Sequence, residues 1–185
     1  MCPRTERGAG PRGSLTLISG GAASGKSEYA ERAAVAAGGP RYYLATMLVW
    51  DEESRRRVEK HRAMRAGKGF ATVECPENLA AVDLPAGSVA LLECLSNLTA
   101  NECFGLLGFP GAAERILAGM ERLRGQTAHL IVVTNELFSD GGDYDRDTLR
   151  YLEVLAGLNR ALAARADRVV EVVCGIPVVW KGEAP

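Results

Sequence analysis

Short apolar, β-branched runs alternate with helix-forming segments along most of the chain. Leu15-Thr16-Leu17-Ile18-Ser19 reads as a buried strand, and Ser27 to Ala37, rich in alanine and glutamate, reads as a helix stopped by Gly38-Gly39-Pro40. Arg41 to Thr46 gives a second strand and Asp51 to Ala66 a highly charged helix closed by Gly67. Phe70 to Glu74 is a short strand; Val89 to Glu93, introduced by the turn signal Pro85-Ala86-Gly87-Ser88, is a stronger one. Helices are predicted over Asn97 to Leu107, Ala112 to Arg124 and Tyr144 to Ala166, with a strand, His129 to Thr134, between the last two. Arg168 to Val173 and Pro177 to Trp180 flank Cys174-Gly175-Ile176 and read as a closing hairpin. Such alternation predicts an α/β fold, a mostly parallel sheet with helices on both faces.

Composition narrows the function classes. A chain of 185 residues suits one domain, here 15–185, behind a Gly/Pro/Arg-rich tail over 1–14 that reads as disordered. A formal net charge of −1 gives no global pull toward nucleic acid or an anionic membrane. Five cysteines without C-x-x-C spacing indicate neither a disulfide framework nor a zinc site, and two histidines exclude a His-rich metal site. No apolar run approaches membrane-spanning length, so a cytoplasmic location without membrane insertion is expected.

Between the first strand and helix lies Gly20-Gly21-Ala22-Ala23-Ser24-Gly25-Lys26-Ser27, which matches G-x-x-x-x-G-K-[ST] in the required strand-to-helix context. The motif predicts a P-loop NTPase-type site. Glycines let successive N–H groups turn inward toward phosphate oxygens, and the helix N-terminus adds partial positive charge. Lys26 would bridge the outer phosphates of GTP or ATP, and the Ser27 hydroxyl would ligate Mg²⁺. Several predicted strands end on polar residues, at Thr46, Glu74, Glu93, Asn135 and Glu136, along the edge where open α/β sheets bind ligands. Polar residues end strands in any case, but four apolar residues followed by Glu93 is the pattern of the acid that supports Mg²⁺ in such proteins.

The predicted helix from Asp51 has few apolar positions and would lie mostly in solvent. Arg57, His61 and Arg65 recur at i, i+4 and i+8, which puts an imidazole between two guanidinium groups on one face. Arginine forks bind phosphate, the cations would hold the imidazole neutral, and a neutral imidazole can attack phosphorus. On spacing alone His61 reads as a surface histidine sooner than as a reactive one. Glu52, Glu53 and Glu59 interrupt the basic run and argue against a nucleic-acid patch.

Taken together, these residues resemble the bifunctional adenosylcobinamide kinase / adenosylcobinamide-phosphate guanylyltransferase family of cobalamin biosynthesis, over about Leu15 to Lys181. The resemblance rests on the P-loop, Tyr43-Leu44-Ala45-Thr46, Arg57-Val58-x-x-His61-x-x-x-Arg65 and Thr72-x-Glu74. It continues through Leu91-Leu92-Glu93-Cys94-Leu95 with Asn101, Val133-Thr134-Asn135-Glu136, Gly157-Leu158-Asn159, Ala166-Asp167-x-Val169 and Gly175-Ile176-Pro177.

The resemblance implies phosphorylation of the aminopropanol hydroxyl of adenosylcobinamide, followed by transfer of GMP from GTP to give adenosylcobinamide-GDP and pyrophosphate. It makes His61 the residue that carries GMP. Ala45, Thr46, Met47, the stretch Arg62, Ala63, Met64 and Arg65, and Glu74 and Glu93 fall where the family contacts the guanine nucleotide, and the family pattern implies a homotrimer. There are three departures from it: Ala23 stands for a common arginine, Lys60 for a frequent second histidine, and Leu137 to Asp145 differs from the usual Val-Gly-x-Gly-Ile-Val-Pro type of sequence. Competing readings are a small-molecule P-loop kinase without nucleotidyl transfer and a non-catalytic nucleotide-binding protein. A regulatory GTPase lacks its N-K-x-D signature at Asn135-Glu136-Leu137-Phe138.

Overall fold

The computed structural model describes residues 12–138 and 142–183. Seven strands form one sheet: β1 (Ser14–Ser19), β2 (Arg41–Ala45), β3 (Phe70–Glu74), β4 (Val89–Glu93), β5 (His129–Val133), β6 (Arg168–Val173) and β7 (Ile176–Lys181). Their spatial order is β3-β2-β4-β5-β1-β6-β7, and every pair is parallel except the β6–β7 hairpin. Five helices connect them: α1 (Lys26–Ala37), α2 (Glu52–Arg65), α3 (Leu95–Phe104), α4 (Ala112–Gln126) and α5 (Arg146–Arg165).

Successive strand residues point to opposite faces, so the continuous apolar runs feed two separate layers. On one face Leu15, Leu17, Leu92, Leu130 and Val132 share a cluster with Leu98 of α3, Ile116 and Leu123 of α4, and Leu155 and Leu158 of α5. On the other, Ile18, Leu91, Ile131 and Val133 meet Ala30 and Ala34 of α1, whose small side chains let that helix lie close to the sheet. Leu92 is fully buried at the centre of the first layer. Leu92→Ala should cost about 2–5 kcal/mol of unfolding free energy, read as a lower denaturant midpoint with little change in slope.

The predicted elements differ from the observed ones mainly at their ends. Helix α3 begins at Leu95 and stops at Gly105, whose N–H donates to the Asn101 carbonyl (2.7 Å), which leaves Leu106 and Leu107 exposed beyond it. Helix α5 begins at Arg146 because the Asp145 carboxylate accepts from the N–H groups of Asp147 and Thr148, an N-cap that ends the preceding loop. A short 3₁₀ turn, Leu79–Ala81, has no counterpart in the sequence reading. Of the tail expected over 1–14, residues 1–11 lie outside the described residues, and Ser14 opens β1, where its N–H donates to the Ala128 carbonyl (2.9 Å). The divergent loop from Leu137 to Asp145 is described only in part, since 139–141 lie outside.

Candidate functional site

Because β1, β4 and β5 run parallel, their C-terminal ends meet at one edge of the sheet, where the P-loop leaves β1. Gly20 has no room for a side chain: a Cβ there would stand 2.6 Å from the Val172 carbonyl oxygen. Gly25, at φ +93°, makes the left-handed turn into α1 that an L side chain would strain. Ala22 and Ala23 are exposed at the loop tip, Ala23 itself at φ +55°. Backbone bonds from Gly175 N–H to the Ser24 carbonyl (2.8 Å) and from Glu136 N–H to the Gly20 carbonyl (3.1 Å) brace the loop from the hairpin turn and from the end of β5. Lys26 is buried, and its ammonium donates to the Gly21 carbonyl (2.8 Å), inside the curl of the loop. Burial lowers the Lys26 pKa, against the opposing fields of Cys94 and Glu93.

Helix α1 passes over β5 and β4, which carries Ser27 across to the end of β4. There the Ser27 hydroxyl donates a hydrogen bond to Oε1 of Glu93. The same oxygen lies 3.6 Å from Nδ1 of His61, brought in from α2. Glu93 is 8% exposed, and both its Oε2 and the His61 Nδ1 are buried without a hydrogen-bond partner. A buried carboxylate thus joins the P-loop serine to the histidine of the charged helix.

Of the stretch implied to contact nucleotide, Ala45 lies in register with Glu93, and its carbonyl accepts from Cys75 N–H (2.8 Å). Thr46 is fully buried with its hydroxyl spent on the backbone of Cys94, accepting from N–H (2.7 Å) and donating to the carbonyl (2.9 Å). It therefore fixes the strand ends rather than offering a free hydroxyl. Met47 lines a cleft of about 250 Å³ with Asp51, Ser54, Arg57 and Asn97. Arg62 and Ala63 are exposed, Met64 is half-buried and Arg65 buried. Arg62 pairs with Glu74 across 3.4 Å, and a second cleft, of about 470 Å³, is lined by Arg62, Arg65, Phe70 and Thr72.

The expected sandwich of His61 between two arginines is not what forms. Arg57 is exposed and taken by Glu53 one turn away on α2, an i,i+4 pair, and the Arg65 guanidinium lies over the Tyr43 ring, 3.4 Å from its centroid. Helical spacing put the three on one face but could not see that β2 supplies an aromatic for Arg65 and β4 a carboxylate for His61. Sequence reasoning also missed Glu31, fully buried in α1 and paired with Lys68 (2.6 Å). The available signal was its i,i+4 spacing from Ser27 on an alanine-rich face. Among the described residues, no group of three His, Cys, Asp or Glu side chains could hold a metal by itself.

Residues 16–180 match the family described as cobinamide kinase / cobinamide phosphate guanyltransferase. The chain is 36% identical over 172 residues to the bifunctional adenosylcobalamin biosynthesis protein CobP of Pseudomonas aeruginosa, covering 90% of this chain and 97% of that one. It is 31% identical over 183 residues to the protein of the same description, CobU, of Salmonella typhimurium, covering 90% and 99%. Among solved structures it is similar to the RadB recombinase, with a TM-score of 0.47 and 15% identity over 86% of this chain and 74% of that one. The chain belongs to the cobinamide kinase / cobinamide phosphate guanyltransferase family of enzymes.

Proposed function

We propose that one nucleotide site, built from Lys26, Ser27, Glu93 and His61, serves both a kinase and a guanylyltransferase reaction on a corrinoid. The observation that carries this reading is the meeting of Ser27 and His61 at the Glu93 carboxylate. In the first reaction the aminopropanol hydroxyl of adenosylcobinamide attacks the γ-phosphorus of a nucleoside triphosphate, the nucleoside diphosphate leaves, and the hydroxyl proton is released. In the second, His61 attacks the α-phosphorus of GTP and pyrophosphate leaves. The corrinoid phosphate oxygen then attacks the same phosphorus, forming adenosylcobinamide-GDP and freeing the imidazole. Because Nδ1 is turned toward the Glu93 carboxylate, 3.6 Å away, Nε2 is the nitrogen left to attack. The cleft beside Arg62, Arg65, Phe70 and Thr72 supplies cationic and aromatic surface suited to the guanosine half.

Mg²⁺ fits this donor set. A hydroxyl, a buried carboxylate with one unpartnered oxygen, and the phosphates of the substrate are the hard oxygen ligands that this ion prefers. Ser27 and Glu93 would hold it, and it would supply charge neutralisation at the phosphates. Glu93→Gln keeps the shape and removes the charge; kinase activity should fall and the Mg²⁺ concentration for half-maximal rate should rise. An unchanged Mg²⁺ titration would give Glu93 a purely structural role.

A homotrimer and a cytoplasmic location belong to the same reading. Ile176, Val178 and Trp180 on edge strand β7 are exposed, an apolar strip that a neighbouring copy would cover, and light scattering of the purified chain measures the assembly. No helix among the described residues is long and apolar enough to cross a membrane. The proposed activity itself is tested by incubating the chain with adenosylcobinamide, Mg²⁺ and α-labelled GTP. Label should appear in a corrinoid product, and its absence while corrinoid phosphate accumulates would leave only the kinase.

A further inference from the structure

Helix α2 carries His61 yet has almost no apolar hold on the protein. Of its fourteen residues only Arg65 is buried, and its mean character is strongly polar. A helix without a buried apolar stripe is positioned by whatever specific contacts it makes. Those contacts gather at its C-terminal end. Arg65 stacks on Tyr43 of β2, and three residues on Lys68 pairs with the fully buried Glu31 of α1 (2.6 Å). The Lys68 carbonyl also accepts from Nε of Arg41 (3.1 Å), the first residue of β2.

The spacing of these contacts is what gives them meaning. Glu31 lies four residues after Ser27 on α1, and Arg65 lies four after His61 on α2, so each sits one turn from the reacting level on the same face of its helix. Tyr43 lies two residues before Ala45, the strand partner of Glu93, and therefore points to the same side of the sheet one step below it. Ser27, Glu93 and His61 form one layer; Glu31, Lys68, Arg65 and Tyr43 form a second layer directly beneath it. The second layer ties α2 to α1 and to β2.

We infer that Tyr43, Glu31 and Lys68 are positioning residues for guanylyl transfer: they act as a latch that sets His61 over Glu93, without touching the nucleotide. This rests on the assignment of His61 as the GMP carrier. Transfer of the γ-phosphoryl group rests on Lys26 and Ser27 at the P-loop and does not use the imidazole, so loosening the latch should slow guanylyl transfer far more than the kinase step at saturating nucleotide. Misplacing a reacting group by about 1 Å can cost on the order of 10²-fold in rate.

The test uses the full chain with three variants: Tyr43→Leu, the paired change Glu31→Gln with Lys68→Met, and Lys68→Arg. The paired change avoids stranding a buried carboxylate without its cation. Single-turnover labelling of His61 by α-labelled GTP should slow at least about tenfold in Tyr43→Leu and in the paired variant, with kinase kcat at saturating nucleotide within about twofold of the unaltered chain. Lys68→Arg should restore labelling. A second readout needs no GTP chemistry: modification of His61 by diethyl pyrocarbonate, mapped by mass spectrometry, should become several-fold faster in the first two variants. Equal loss of both activities, or unchanged labelling and unchanged modification, would overturn the latch. If the unaltered chain takes no label but His61 modification still accelerates in the variants, the latch stands and the role of His61 as GMP carrier falls.

Discussion

Replacing Lys26 with alanine is expected to lower phosphoryl transfer by about 10²–10³-fold, the effect of removing one preorganised electrostatic contact to a transferring phosphoryl group. The residue is 8% exposed and its side chain is already directed into the loop, where the ammonium donates to the Gly21 carbonyl. A lysine placed this way needs little reorganisation to meet phosphate oxygens, so its contribution appears where charge builds up on the phosphates. Nucleotide affinity should fall as well, because the same ammonium attracts the ground-state triphosphate. Steady-state kinetics would show a lower kcat together with a raised KM, and equilibrium titration with a nucleotide analogue would report the binding part separately. Lys26→Arg should recover little, since a planar fork does not fit where a compact ammonium lies inside the loop curl. Guanylylation of His61 should also fall, because in the proposed mechanism the triphosphate that His61 attacks is held by the same loop. Kinase turnover and nucleotide affinity left intact in Lys26→Ala would mean that this loop is not the phosphate cradle.

What could be read from sequence was whatever local pattern encodes. The strand bounds of β3 and β4 were legible from apolar runs bracketed by turns, and the P-loop from residues whose conformational demands are local, such as Gly25 at φ +93°. The place of Glu93 at the end of an apolar strand was likewise visible. Contacts set by the order of strands in space were not. That β2 lies beside β4, rather than beside β1, is what brings Tyr43 and Glu93 near a helix that follows β2 in the chain, and spacing along α2 carries no trace of it. Arg65 shows the consequence. Its helical position predicted a phosphate-binding guanidinium beside His61, and nothing in that spacing foretold that the neighbouring strand sets it over an aromatic ring. Glu31 is a second case: on the alanine-rich α1 it is fully buried, and its partner Lys68 arrives from the loop between α2 and β3.

His61→Ala should abolish covalent labelling and GMP transfer while leaving phosphorylation of the corrinoid hydroxyl measurable. The imidazole stands across Glu93 from Ser27, partly open, with 26% of the side chain exposed, so Nε2 can meet an α-phosphorus while Nδ1 faces the carboxylate. Covalent catalysis divides one substitution into two, and each passes through a transition state whose charge Lys26 and the cationic end of α2 can stabilise. The proposed intermediate is a phosphoramidate, so α-labelled GTP should leave a mark that survives denaturation, is lost in acid and persists in alkali; γ-labelled GTP should leave none. Nitrogen-15 labelled histidine in the adduct should show phosphorus coupling at Nε2, because Nδ1 is turned to Glu93. Removal of the imidazole leaves the Ser27 to Glu93 contact in place, which is why the kinase should continue within a few-fold of its usual rate. If His61→Ala still takes up label, the nucleophile is another residue. If the unaltered chain makes adenosylcobinamide-GDP without ever holding label, GMP passes directly from GTP to the corrinoid phosphate, and His61 serves only to bind phosphate beside the carboxylate it shares with Ser27.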